Sequence, residues 1–86
     1  MSATLPVRVT VLDNWDALAF DLPADTPVAA LKDRALRGAR ITRPADGYLV
    51  KYLGAEVSDE SASLAEIGVA PHGALIVMAR ARIPAR

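Results

Sequence analysis

Residues 22–38 read LPADTPVAALKDRALRG, and this stretch decides how the chain folds. Its two prolines break an extended segment. Thr26 is a residue type that caps helix N-termini, and Pro27 suits the first helical position. Apolar residues then recur at the spacing of a helix with one buried face, at Val28, Leu31, Ala35 and Leu36. Because Gly38 suits a helix C-terminus, we predict a helix over residues 27–37.

Two short runs of alternating apolar residues precede this helix. The first run covers residues 5–12 and the second covers residues 17–22, with a polar turn from Asp13 to Asp16 between them. Strict alternation is typical of strands with one buried face. A four-residue turn between two such runs is typical of a β-hairpin. We therefore predict a hairpin ahead of the helix.

Three extended segments and one capped turn follow the helix. Residues 48–53 predict a third strand, and a short fourth strand is expected near Val57. Residues 63–66 form a capping box, which predicts one short helical turn that ends at Gly68. Residues 74–82 predict the last strand. Its high apolar content places it in the middle of the sheet, beside the first strand.

This order of elements resembles the ubiquitin-like β-grasp family over almost the whole chain. Residues 22–32 look like ubiquitin's passage from strand to helix, and residues 63–69 (SLAEIGV) are similar to the family's T-L-S-D-Y-N-I segment. Residues 75–82 (LIVMARAR) look like the family's last strand, L-H-L-V-L-R-L-R. The resemblance implies an α+β fold, with a mixed four- to five-stranded sheet, one packing helix and a short second helix. It also implies that Lys32 is largely buried.

We expect one domain, with an ordered core over about residues 5–82 and a tail at residues 83–86. Conjugated modifiers of the family end in Gly-Gly, where this chain reads Ile83-Pro84-Ala85-Arg86. Adenylation and thioester transfer need an unhindered glycine carboxylate. We therefore rank a covalent modifier or a sulfur carrier behind a non-conjugating binding protein or enzyme subunit.

Among bacterial relatives, the chain looks most like YukD-type ubiquitin-like proteins, which are associated with type VII secretion. The residues behind this resemblance are Thr26-Pro27-Val28, the loop from Pro44 to Gly47, and residues 64–69. A second relative is the small ubiquitin-fold subunit of multicomponent aromatic monooxygenases. The two alternatives imply a secretion accessory or a structural subunit of an enzyme complex.

Composition excludes several classes of function. Ten basic and ten acidic residues give a net charge of zero, which argues against nucleic acid as a partner. The chain has no cysteine and one histidine, so we expect no disulfide, no metal site and no cofactor. No phosphate-binding glycine motif is present. No apolar run approaches the roughly 20 residues that span a bilayer, so we expect no membrane insertion and a cytoplasmic protein.

The outward face of the predicted sheet is the most informative surface. If the third strand neighbours the last, their six outward residues lie side by side. These residues are Leu49, Lys51, Leu53, Ile76, Met78 and Arg80, and all but the lysine and the arginine are apolar. Soluble monomers seldom expose large contiguous apolar patches. We therefore predict a non-enzymatic protein-binding face for an as yet unidentified protein partner, in a chain that is a monomer or a weak homodimer.

Other conspicuous residues have ordinary interpretations. Trp15 lies at the predicted hairpin tip, where it is either an exposed binding residue or packed back over its own hairpin. His72 is read as a turn residue that tolerates positive φ. The acidic residues at 13 and 16, and at 56, 59 and 60, are read as solvated loop charges, since they do not match a calcium loop. The basic residues from 32 to 43 are read as a solvated helix exterior.

Overall fold

A computed structural model of the protein describes residues 4–80. Five strands and one α-helix make up most of it. In chain order the elements are β1 (Thr4–Val11), β2 (Asp16–Pro23), α1 (Val28–Gly38), a 3-10 helix (Ala45–Gly47), β3 (Tyr48–Tyr52), β4 (Ala55–Glu56) and β5 (Gly73–Ala79). None of the helices in this part of the chain is long and apolar enough to cross a membrane.

The five strands form one mixed sheet in the order β2-β1-β5-β3-β4. β1 and β5 are parallel, and the other neighbouring pairs are antiparallel. The expectation that the last strand enters the middle of the sheet beside the first is confirmed. Its inward residues, Leu75 and Val77, are fully buried.

The core lies between one face of this sheet and helix α1. Alternate residues of β1 point into it, and the helix contributes one stripe, so the buried set combines a period of two with a period near 3.6. Each fully buried valine or leucine contributes about 1.5–3 kcal/mol to folding. The fully buried apolar side chains, less than 2 % exposed, include Val9, Val11, Val28, Leu31, Val50, Leu64, Leu75 and Val77.

The N-terminus of α1 differs from the predicted one by one residue. Pro27 has extended backbone angles and occupies the cap position, and no side chain among residues 4–80 caps this end. Thr26 is therefore not the cap. The free N–H groups of Val28 and Ala29 instead donate to the carbonyl oxygens of Ala62 and Glu60, both at 2.9 Å. A neighbouring loop thus replaces the capping side chain.

The C-terminus of α1 also ends differently. Gly38 is the last helical residue, and the left-handed conformation falls two residues later, on Arg40 (φ 61°). The Ile41 N–H donates to the Leu36 carbonyl and the Arg40 N–H to the Arg37 carbonyl. These two bonds define a Schellman ending, whose left-handed residue is most often glycine.

The predicted capping box forms, but it does not start a helix. The Ser63 N–H donates to Glu66 Oε1 at 2.8 Å, and the Glu66 N–H donates to Ser63 Oγ at 3.1 Å. Residues 64–68 then make consecutive turns that close at Gly68 (φ 83°). The only short helix among residues 4–80 is the 3-10 helix, within the predicted 43–47 loop.

The third and the last strand end before the residues at which the sequence predicts their ends. The third strand ends at Tyr52, before Leu53. The fourth strand lies just before Val57, at residues 55–56. The last strand begins one residue early and ends at Ala79, before Arg80. Its predicted final residues, 81 and 82, and the predicted tail at 83–86 lie outside the described residues.

Candidate protein-binding surface

The outward residues of β3 and β5 come together as predicted. Leu49 lies directly opposite Met78, and Lys51 lies opposite Ile76, in an antiparallel pair. Leu49, Lys51 and Met78 are half-buried, and Ile76 is 36 % exposed. Side chains directly opposite on one sheet face are close enough to touch. These four residues are therefore the centre of what we term the outer sheet face.

Leu12 also belongs to this face, although the sequence pattern did not single it out. Its N–H donates to the Val77 carbonyl at 3.0 Å, so it continues β1 by one residue. Extending the β1–β5 register by that residue places Leu12 opposite Met78. Leu12, Met78 and Leu49 then form an apolar row across three strands. Leu12 occupied an outward position in the first alternating run, which was the signal available in the sequence.

Leu53 lies at the edge of the outer sheet face, in the turn between β3 and β4. Leu53 (φ 53°) and Gly54 (φ 80°) are the two central residues, and both are left-handed. Such a two-residue hairpin turn favours Asn-Gly. Leu53 is instead 84 % exposed. A leucine in a strained conformation, with its side chain in solvent, contributes little to folding.

The charged residues of the face are arranged unequally. Arg80 Nε donates to the Asp46 carbonyl at 3.0 Å, and its Nη1 lies 3.4 Å from Glu56 Oε2. Lys51 is paired in the ladder with Glu56, but no ion pair of Lys51 occurs among residues 4–80. Lys51 is therefore available to an acidic group of a partner.

Trp15 is 75 % exposed, which resolves the two interpretations left open by the sequence in favour of exposure. It sits at the tip of the β1–β2 hairpin with φ 57°. Because β1 is parallel to β5 and β3 is antiparallel to it, this tip and Leu53 lie at opposite ends of the sheet. The structure therefore does not bring Trp15 and Leu53 into one patch.

The hairpin tip that carries Trp15 is anchored to the rest of the fold. Asn14 Nδ2 donates to the Ala39 carbonyl at 2.9 Å. The buried Tyr48 hydroxyl donates to the Asp13 carboxylate, which also lies 3.6 Å from Arg43 Nη2. The hydrogen bond to the Asp13 carboxylate, together with burial, raises the pKa of Tyr48. Trp15 is thus exposed on a turn held from both sides.

Lys32 is buried, as the resemblance implies. Its Nζ donates to the Tyr48 carbonyl at 3.0 Å and lies 2.7 Å from Glu60 Oε1. Glu60 was predicted to be a solvated loop charge, and that prediction is wrong, because its side chain is only 19 % exposed. The ion pair ties the loop before residue 63 to the helix and to β3.

Asp59 makes a local contact within its own loop. Asp59 accepts hydrogen bonds from the Ser61 hydroxyl and the Ser61 N–H, and these bonds lower the pKa of Asp59. Within residues 4–80, no three histidine, aspartate or glutamate side chains are grouped as metal ligands. His72 is an exposed turn residue with φ 63°, as its sequence context predicts.

The basic residues of the helix are largely exposed, as predicted, apart from Lys32. Arg37 is paired with Asp33 one helical turn away. The Arg34 guanidinium lies over the Phe20 ring, 5.5 Å from its centroid. This contact shields part of an aromatic side chain at the β2 edge of the sheet.

Comparison with known proteins gives a result at the level of fold. No protein-family model matches the chain, and no curated protein does. Solved structures match closely in shape. Caldiarchaeum subterraneum ubiquitin superposes with a TM-score of 0.77 at 15 % identity, covering 92 % of this chain and 96 % of that one.

Two ubiquitin-like domains agree. The C-terminal ubiquitin-like domain of mouse tubulin-specific chaperone e has a TM-score of 0.73 and 17 % identity, with 98 % and 94 % of the two chains covered. A ubiquitin-like domain from Arabidopsis thaliana has a TM-score of 0.74 and 19 % identity, with 98 % and 85 % covered. The chain therefore has the ubiquitin-like β-grasp fold that its motifs predict. Identities this low establish the fold alone.

Proposed function

We propose that this ubiquitin-fold chain is a non-enzymatic protein-interaction module that binds through its outer sheet face. The observation that carries the proposal is Leu53, an exposed leucine held in a left-handed turn position. The left-handed backbone conformation costs a leucine free energy, and its exposed side chain gains none on folding, so folding alone does not favour leucine at this position. A partner that covers the Leu53 side chain would bury apolar surface that the fold leaves in water.

The apolar row lies at the other end of the outer sheet face from Leu53, and Ile76 lies between them, so the face as a whole gives such a partner something to bury. Leu12, Leu49 and Met78 are half-buried in the free chain, and Ile76 is more exposed. Apolar and methionine side chains at the centre of a face, with charges around them, match the usual composition of protein interfaces. Lys51 supplies a charge that would pair with an acidic group and set the orientation of the partner.

The finer form of the proposal is a YukD-like accessory of bacterial type VII secretion. Its support is the sequence resemblance at residues 26–28, the 44–47 loop and residues 64–69. The alternative is a structural subunit of a multicomponent enzyme, such as an aromatic monooxygenase. The same outer sheet face would then contact a neighbouring subunit, and the identity of the bound partner distinguishes the two.

Affinity capture with matched variants tests the proposal. The test variant is Leu53→Glu/Ile76→Glu, which places two carboxylates on the outer sheet face at exposed positions. The control is Ala29→Glu/Ala30→Glu, which places two carboxylates on the exposed side of α1. We expect one discrete partner that binds wild type and the control but not the test variant. A partner that binds all three equally would refute the role of this face.

A further inference from the structure

The outer edge of β2 is the longest unpartnered strand edge in the described part of the chain. β2 pairs with β1 along all eight of its residues without a bulge. Among the strands of residues 4–80, only β1 adjoins it. Natural sheets protect such edges with lysines, internal prolines or bulges. β2 (DALAFDLP) has no basic residue, and its single proline is its last residue.

Two hydrogen bonds of β1 establish which backbone groups of β2 are free. The Pro6 carbonyl accepts from the His72 N–H at 2.7 Å, and the Leu12 N–H donates to the Val77 carbonyl. Both bonds run toward β5. The backbone N–H and C=O groups of the even-numbered residues of β1 therefore point toward β5, and those of the odd-numbered residues point toward β2. An antiparallel pair exchanges bonds only at alternate residues. In β2, the even-numbered residues therefore bond to β1.

The odd-numbered residues of β2 direct their N–H and C=O groups away from the sheet. These residues are Ala17, Ala19 and Asp21, and all three are exposed. Nothing else in residues 4–80 bonds to these backbone groups. They form a row of alternating donors and acceptors that another strand can pair with.

We propose that this edge pairs with the same edge of a second copy of the chain, antiparallel about a two-fold axis at Ala19. In this register Ala19 meets Ala19 of the second copy, and Ala17 meets the second copy's Asp21. Every free N–H and C=O of the row then finds a partner. The alternating even-numbered residues place Leu18 opposite Phe20 on the inner face, where both are half-buried.

Charge and shape favour a second copy as the occupant of this edge. The register puts each Asp21 carboxylate opposite an alanine, so the Asp21 carboxylates of the two copies do not face each other. The two alanines at the axis give no steric obstacle. Pro23, which lacks an N–H, falls beyond the paired row.

The pairing leaves the outer sheet face free and duplicates it. Since Ala19 points outward in both copies, the two five-stranded sheets join with their outer faces on the same side. A dimer of this kind would present two copies of Leu53 and Ile76 to one partner surface. Two identical binding sites in one dimer raise the overall affinity for such a partner, because the second site binds within the same complex.

Cysteine cross-linking tests the register, because the natural chain has no cysteine. In Ala19→Cys the two introduced residues meet at the axis, about 5.5 Å apart between Cα atoms, which a disulfide can span. The matched control is Ala17→Cys, also exposed on this edge. Its two copies lie four positions apart along the strand, roughly 13 Å, which is too far. We expect rapid covalent dimerisation of the first variant only.

Equal cross-linking of both variants, or of neither, would overturn the proposal. Sedimentation equilibrium of uncrosslinked protein gives an independent measurement. Ala19→Asp and Ala19→Lys should each be monomeric at concentrations where wild type dimerises, and an equimolar mixture of the two should dimerise again. Wild type that stays monomeric up to millimolar concentration, or variants that dimerise separately as well as wild type, would contradict it. Circular dichroism confirms that each variant is folded.

Discussion

Single residues in left-handed conformations mark where this chain departs from what folding alone would select. Trp15, Arg40, Leu53 and His72 are all non-glycine residues with positive φ. A left-handed position costs a residue with a Cβ about 1–2 kcal/mol. Arg40 and His72 serve a helix end and a turn. Leu53 and Trp15 combine the same backbone cost with strongly exposed apolar side chains, which is why they suggest binding.

Replacing Leu53 separates stability from binding. Leu53→Asn keeps the turn and supplies the residue that this turn favours, so the free energy of unfolding should rise by about 1 kcal/mol. Partner capture should weaken in the same variant. Urea unfolding measures the first effect. A variant that is more stable and binds as well as wild type would remove Leu53 from the interface.

We expect the chain to become less stable at alkaline pH, because the hydrogen bond of Tyr48 is lost there. Its hydroxyl donates to Asp13, and its pKa is raised in the folded state above the ordinary value of 10.0. The folded chain therefore holds this proton more tightly than the unfolded chain, and stability falls as pH rises above about 10. Tyr48→Phe should lose about 1.5–3 kcal/mol near pH 8.

The stability difference between wild type and Tyr48→Phe should then shrink above pH 10. Urea unfolding at pH 8 and at several points above pH 10 measures it. A difference that stays constant over this range would show that the Tyr48–Asp13 hydrogen bond does not contribute in this way.

At the scale of elements, one buried ion pair joins the helix, β3 and the loop that follows β4. Lys32 contacts both Glu60 and the Tyr48 carbonyl. Removing one member of a buried pair leaves an uncompensated charge, so Lys32→Met should destabilise the chain by about 3 kcal/mol. Lys32→Met/Glu60→Gln should recover much of that loss. Thermal unfolding of both variants tests this, and a double variant no more stable than the single one would contradict it.

Most elements could be predicted because local patterns and tertiary packing agree. The alternation in residues 5–12 and 17–22, and the helical spacing from Val28 to Leu36, correspond to β1, β2 and α1. Element ends were less predictable. The α1 N-terminus is capped by the carbonyl groups of Glu60 and Ala62, and the residues that it bonds lie some thirty positions away. No local sequence signal carries that information.

Only part of the candidate site could be predicted from the alternation of residues along the strands. The pairing of Leu49 with Met78 and of Lys51 with Ile76 follows from alternation once β3 and β5 are neighbours. Leu12 was missed because the predicted face was limited to the third and last strands, although the first alternating run already carried Leu12 at an outward position. The exposure of Trp15 depends on how the hairpin tip is anchored, and alternation says nothing about it.

For the whole molecule, the sheet divides the surface into two sides of different character. One side is covered by α1 and carries exposed arginines. The other is the outer sheet face, which combines the apolar row with Lys51 and with two exposed arginines of its own, Arg8 and Arg80. We expect a partner to bind the second side, while the exposed β2 edge remains available to a second copy of the chain.

The most direct measurement is a chemical-shift map of the isotope-labelled chain titrated with the partner recovered by capture. We expect perturbed amide signals clustered at Leu49, Lys51, Leu53, Ile76 and Met78, with α1 signals unchanged. Perturbations confined to α1, with the outer sheet face unaffected, would show that the partner does not bind this face.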